Sequence, residues 1–135
     1  MSYYGYEKEA LYNARNILDG FGSSEIEAIV STCGSCTERL KDYARLFRDD
    51  REYREKAERI SSISYDISEF LMKYSGELEL GLPDKLDLRV AYHDSCHLIV
   101  AGVTEQPREI LKKIVKELVE MEEGCCGGAG GYTFL

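Results

Sequence analysis

The chain has no apolar run approaching the roughly 20 residues that a helix needs to cross a bilayer, so no membrane span is expected. Its start, Met1-Ser2-Tyr3-Tyr4-Gly5-Tyr6-Glu7-Lys8, lacks the basic and apolar regions of a secretory leader. The expected location is therefore the cytoplasm, peripheral to a membrane only through partners. Clustered Lys and Arg are missing too. With 17 basic residues against 25 acidic ones the net charge is -8, which argues against a nucleic-acid surface, because phosphate binding requires concentrated positive charge. There is no low-complexity stretch. At 135 residues, 44% of them hydrophobic, the chain can fill one modest core, and a second domain is not expected.

What the chain does carry is cysteine: Cys33, Cys36, Cys96, Cys125 and Cys126. An odd, unevenly spread set in a reducing compartment points to metal or redox chemistry before a disulfide framework, with an oxidised secreted domain as the alternative. The most telling stretch is Gly124-Cys125-Cys126-Gly127-Gly128-Ala129-Gly130-Gly131. Adjacent side chains on an extended strand point to opposite faces, so two neighbouring thiols serve one centre only where the backbone turns sharply or the centre is several ångströms across. The glycines supply the turn.

Hydrophobic spacing predicts a helix over 7–21 through Ala10, Leu11, Ala14, Ile17, Leu18 and Phe21. A β-branched run over 28–32 predicts a buried strand, entering Cys33-Gly-Ser-Cys36 and then a helix with Leu40, Tyr43, Ala44 and Phe47 on its inner face. Cys33 and Cys36 then sit at a helix N-terminus, where free amides favour thiolate. Asp49-Asp50 breaks that helix, and a further helix is expected from Tyr53 through Ala57, Ile60, Ile63 and Ile67 to Leu71, its charged face solvated and laced with i,i+4 pairs. A linker is expected over 76–87.

Beyond it, 88–92 reads as a second strand, followed by a short helix over 96–100, an interruption at Gly102, and a helix with Pro107 in its first turn. A third strand near 117–121 delivers Cys125 and Cys126. The expected class is α/β, a small and mostly parallel sheet flanked by helices, with a weak internal repeat of strand, cysteine and helix. Sites in such sheets gather at the carboxyl ends of the strands, so all five thiols could meet on one edge.

Cys33-x-x-Cys36 alone suits zinc, thioredoxin-like redox and iron-sulfur ligation alike. A redox pair would leave three cysteines without a role. Zinc takes about four ligands, so five sulfurs leave one spare, whereas a cluster of several irons can use them all. Inert packing accounts for a single buried cysteine better than for five. His93 and His97 could ligate metal, but His93 and Asp94 stand where a strand gives way to a helix. Capping and hydrogen bonds to the cysteine sulfur are the preferred role for His93, Asp94 and His97, with Gly127 opening the backbone beside the cysteine pair. The ten tyrosines carry no motif.

His93-Asp94-Ser95-Cys96-His97-Leu98, then Gln106-Pro107-Arg108, then Cys125-Cys126-Gly127 strongly resemble the cysteine-rich CCG domain family. That family includes the B subunit of heterodisulfide reductase and the iron-sulfur subunits of glycolate and lactate oxidases. The stretch 28–36, Leu40-Lys41-Asp42-Tyr43 and Asp66-Ile67-Ser68-Glu69-Phe70-Leu71 resemble the glycolate and lactate oxidase branch.

The resemblance implies two tandem repeats, each running from one cysteine through Cys-Cys-Gly to Cys-x-x-Cys. Full repeats hold a four-iron four-sulfur cluster that can be non-cubane, and others hold zinc or nothing. On that template 1–75 resembles the end of a first repeat, with Cys33 and Cys36 its closing pair. The stretch 88–135 resembles the start of a second, with Cys96, Cys125 and Cys126 its opening three. The chain reads as a single domain or a piece of a longer protein, its five cysteines making one set in permuted order.

The implied function is an electron-transfer module of an oxidoreductase acting on a 2-hydroxy acid such as glycolate or lactate. A flavin-bearing subunit or another electron-transfer protein would be its partner. The alternatives are a structural zinc module that docks other subunits, a heterodisulfide-type catalytic cluster, and a piece that binds nothing. Self-association could also complete split sites.

Overall fold

The computed structural model describes residues 5–22, 25–76, 85–122, 124, 126 and 127. Six helices and four short strands follow one another along these residues. α1 (Glu7–Gly22) leads to β1 (Ile29–Ser31), α2 (Gly34–Leu46), α3 (Arg54–Ser62), β2 (Ser64–Asp66) and α4 (Ile67–Lys73). β3 (Leu86–Tyr92), α5 (Cys96–Val100), α6 (Glu105–Ile114) and β4 (Val115–Glu120) complete the order.

The strands pair in parallel, as two two-stranded sheets, β1 with β2 and β3 with β4. Parallel neighbours require a crossover, and helices supply both of them: α2 and α3 in the first unit, α5 and α6 in the second. The strand, cysteine, helix pattern thus becomes a pair of strand–helix–strand units. The α/β class with short parallel strands flanked by helices holds, but the strands divide between two sheets.

The expected continuous helix from Tyr53 to Leu71 is not formed. Ser64–Asp66 is a strand, pairing Ile29 with Ser64 and Ser31 with Asp66. Ile60, Ile63 and Ile67 keep a three-and-four spacing across the break, so hydrophobic periodicity could not reveal it. The missed signal was Asp66-x-x-Glu69. The Asp66 carboxylate accepts from the Ser68 backbone N–H at 2.9 Å, and Glu69 Oε2 accepts from the Asp66 N–H at 2.9 Å, a capping box that starts α4 afresh.

The core lies in the first unit. Ala14 and Leu18 of α1, Tyr43 of α2, Phe47 just beyond it, and Ala57 and Ile60 of α3 form one buried cluster. Burying side chains the size of Leu18, Phe47 and Ile60 stabilises the fold by about 1.5–3 kcal/mol each. Asp50 shapes the connection that follows α2, accepting from the Glu52 and Tyr53 backbone N–H groups at 3.0 and 3.2 Å and from Arg15 at 3.1 Å. The Arg54–Glu58 pair at 2.9 Å is one of the i,i+4 contacts expected on the charged face.

The second unit buries Val103 and Val115, while Leu86 and Leu88 on β3 are exposed. Lys41 ties the units together, donating to Glu69 Oε1 at 2.6 Å and to the Ala101 carbonyl at 3.1 Å. The linker expected over 76–87 falls mainly on 77–84, outside the described residues, and β3 begins already at Leu86.

Candidate metal centre

Three of the four described cysteines follow a strand. Cys33 comes two residues after β1, Cys96 opens α5 four residues after β3, and Cys126 lies beyond β4. All of these, with Cys36, are exposed. Cys125 lies outside the described residues, as do 128–131 of the glycine run.

The Cys33 backbone is fixed before its side chain is used. Ser31 Oγ donates to the Cys33 carbonyl at 3.2 Å and accepts from the Cys33 N–H at 3.1 Å. Cys33 is the N-cap of α2, and its carbonyl takes the Thr37 N–H at 2.9 Å. Its sulfur lies 3.2 Å from Ser35 Oγ. The Ser35 hydroxyl, then the Cys36 amide and the Cys36 thiol, stabilise the thiolate and bring Cys33 down to about 7. Cys36 is pushed the other way, chiefly because it shares its proton with Cys33 and secondarily by burial. A Cys-x-x-Cys at a helix start therefore supplies one thiolate near neutral pH, as its position implied.

The cysteine segments of the two units meet. A Cβ on Gly34 would stand 3.1 Å from Ser95 Oγ, 3.2 Å from Leu98 Cγ and 3.5 Å from His97 Cβ, so the absence of a side chain lets α2 seat against the start of α5. Ser95 and His97 flank Cys96. His97 Nδ1 is hydrogen-bonded to the Glu38 carboxylate of α2, a polar contact across the same junction. Cys33, Cys36 and Cys96 are thus carried on two packed helix starts. Gly127, directly after Cys126, has φ +72°, a backbone conformation that L side chains rarely adopt.

At the carboxyl ends of β3 and β4, Arg108 of α6 organises the surroundings. It forks onto Asp94, with Nη1 to Oδ1 at 2.8 Å and Nη2 on Oδ2, and its Nε donates to Glu120 at 3.0 Å. Nη1 also reaches the Thr104 carbonyl at 2.8 Å, and the guanidinium lies over the Tyr92 ring, 5.3 Å from its centroid. Arg108 is thereby raised further above its ordinary range, chiefly by Asp94, and Asp94 is held below the usual carboxylate range by Arg108. Asp94 binds the arginine, and His93 lines the cleft of about 600 Å³ beside this cluster, together with Glu122 and Gly124. A groove of about 1040 Å³ between α1 and α2 is lined in part by Ser35, Cys36 and His97.

Among the described residues no three His, Cys, Asp or Glu side chains form a group that could hold a metal ion. The donors nevertheless suit one: exposed thiols, one of them ionising near neutrality, on adjoining helix starts. Thiolates favour zinc and iron-sulfur centres over hard cations. Arg108 and Glu38 were not singled out as site residues from the sequence. Arg108 was visible within Gln106-Pro107-Arg108, whereas Glu38 lies 59 residues from His97 and carries no local signal.

Residues 90–134 match the family model of a cysteine-rich domain, CCG. The chain is 34% identical over 133 residues to lactate utilization protein A of Oceanobacillus iheyensis, covering 96% of this chain and 53% of that protein. It is 33% identical to the protein of that name from Geobacillus sp. (strain WCH70) and 28% identical to that from Bacillus subtilis (strain 168), in each case over 96% of this chain and 54% of the relative. The chain spans about half the length of the curated relatives it matches. No solved structure gives a significant match.

Proposed function

We propose that this chain, whose residues 90–134 match the cysteine-rich CCG domain, is an iron-sulfur electron-transfer module of lactate utilisation, serving the oxidation of a 2-hydroxy acid. Cys33, Cys36, Cys96, Cys125 and Cys126 would hold the cluster. The observation that carries this reading is the seating of Gly34 against Ser95 and Leu98, which sets a Cys-x-x-Cys beside the segment that bears Cys96. A four-iron four-sulfur cluster bound there would accept and pass on single electrons.

The chain's own residues do the positioning. Ser31 fixes the Cys33 backbone, Ser35 and the Cys36 amide favour the Cys33 thiolate, and Arg108 gathers Asp94 and Glu120 where β3 and β4 end. No catalytic base is assigned here. Oxidation of lactate to its 2-oxo acid, which removes two electrons and two protons, is placed on a flavin-bearing partner, with this module relaying electrons singly.

The test is metal analysis of protein purified under argon. Several irons with matching acid-labile sulfide per chain, and an electron paramagnetic resonance signal on reduction, are expected. One zinc with neither iron nor sulfide overturns the electron-transfer role and leaves a structural zinc module. Glycolate enters as a competing substrate in the assay of the assembled system, where turnover with lactate alone would narrow the reading.

A further inference from the structure

The junction between α2 and α5 contains a polar contact that the ligand set does not use. Glu38 lies two residues after Cys36, and His97 directly follows Cys96. Their side chains are largely sheltered, at 18% and 34% exposure, and the Glu38 carboxylate meets His97 Nδ1. A carboxylate can only accept, so Nδ1 is a nitrogen that carries a proton. His97 also lines the groove that contains Ser35 and Cys36. Carboxylate partners of this type set the tautomer and orientation of imidazoles that serve metal centres.

We propose that Glu38 is a positioning residue of the cysteine centre: by accepting a hydrogen bond from Nδ1–H of His97 it keeps a proton on that nitrogen and fixes the orientation of the ring in the groove shared with Cys36. The proposal rests on the metal-centre reading for its purpose, though not for its geometry. Because Glu38 and His97 stand on different strand–helix–strand units, the contact also couples the orientation of the ring to the seating of one unit on the other.

Long-range proton–nitrogen correlation spectra of the metal-free, nitrogen-15-labelled chain read the tautomer directly, with the His97 signals assigned by their loss in His97→Asn. The wild type is expected to show the Nδ1-protonated form. Glu38→Ala is expected to lose it, and Glu38→Gln, whose carbonyl oxygen can accept the same proton, to restore most of it. A merely structural contact would not move the ring nitrogen shifts in this graded way. Titration with cobalt(II) alone under argon supplies the second measurement, in which Glu38→Ala should weaken binding about 10–100-fold.

A wild-type ring protonated at Nε2 and not at Nδ1, ring shifts unchanged in Glu38→Ala, or unchanged cobalt affinity in a protein that binds it would each overturn the proposal. If Glu38→Ala fails to fold, the wild-type spectrum and Glu38→Gln still decide. Failure of every form to bind cobalt would count against the metal-centre reading, while the tautomer measurement would still judge Glu38.

Discussion

Gly34 offers the sharpest perturbation of the junction between the two units. Its missing side chain leaves just enough room for Ser95 Oγ and Leu98 Cγ, which a Cβ would meet at 3.1 and 3.2 Å. Gly34→Ala sets two effects against each other. Replacing glycine at a conformation alanine can adopt stabilises by about 0.4–1 kcal/mol through the unfolded chain. Against that, the Ser95 hydroxyl must rotate and Leu98 must yield by a few tenths of an ångström. The net change should stay within about 1 kcal/mol of zero.

Gly34→Val is different, because its branched methyl groups reach further than a rotamer change in Leu98 can absorb. Overpacking of this kind costs about 1–3 kcal/mol. At about 4 °C per kcal/mol for a chain of this size, Tm should fall by roughly 4–12 °C. The same wedge should lever Cys33 and Cys36 away from Cys96, so cobalt(II) affinity should drop in Gly34→Val and hold in Gly34→Ala. Thermal denaturation and anaerobic cobalt titration check the two effects separately. A Gly34→Val protein with wild-type Tm and cobalt affinity would refute the reasoning that this close approach assembles the site.

Four further outcomes are expected. Arg108→Ala should cost about 1–3 kcal/mol by leaving Asp94 without its fork, and should speed hydrogen exchange at 89–92 and 117–120, with Arg108→Lys recovering only part; unchanged exchange would show that the fork does not hold the strand ends. In metal-free protein, alkylation of Cys33 should rise to half its maximum at about pH 7, with Cys36 following at higher pH, and Ser35→Ala should move the Cys33 midpoint upward. Because the folded chain lowers Cys33 from 9.0, the thiolate's contribution to stability should vanish as pH falls below about 7 and be complete above about 9, which denaturation at several pH values measures. Thr37→Val should leave stability unchanged or raise it by up to about 1 kcal/mol, since Thr37 Oγ1 is fully buried without a hydrogen-bond partner among the described residues, and a fall in the urea midpoint would reveal a partner for that hydroxyl.

Local chemistry was readable where it is local. Ala14, Leu18, Tyr43 and Phe47 recur at helical spacing, so α1 and the inner face of α2 followed from periodicity alone. The position of Cys33 at a helix start also announced its acidity, because the Ser35 hydroxyl and then the Cys36 and Ser35 amides that stabilise the thiolate come from within the next three residues. β2 escaped because three residues are too few to establish a period of two, and the isoleucines around them kept the helical spacing. The partner of Asp94 was not legible, since a carboxylate at a strand end takes the strongest cation within reach, and that cation, Arg108, arrives from a helix fourteen residues on.

By itself the sequence determined most of the elements, β2 and the break it makes excepted, the parallel class of their pairing, the cysteine set and the kind of metal chemistry those thiols suit, since each depends on residue type and near-neighbour spacing. The tertiary structure alone decided that the strands divide into two pairs, that Gly34 lies against Ser95 and Leu98, and that Glu38 reaches His97. Those contacts join residues some sixty positions apart, and which of many such pairs form is settled by how the helices pack, which local pattern does not encode.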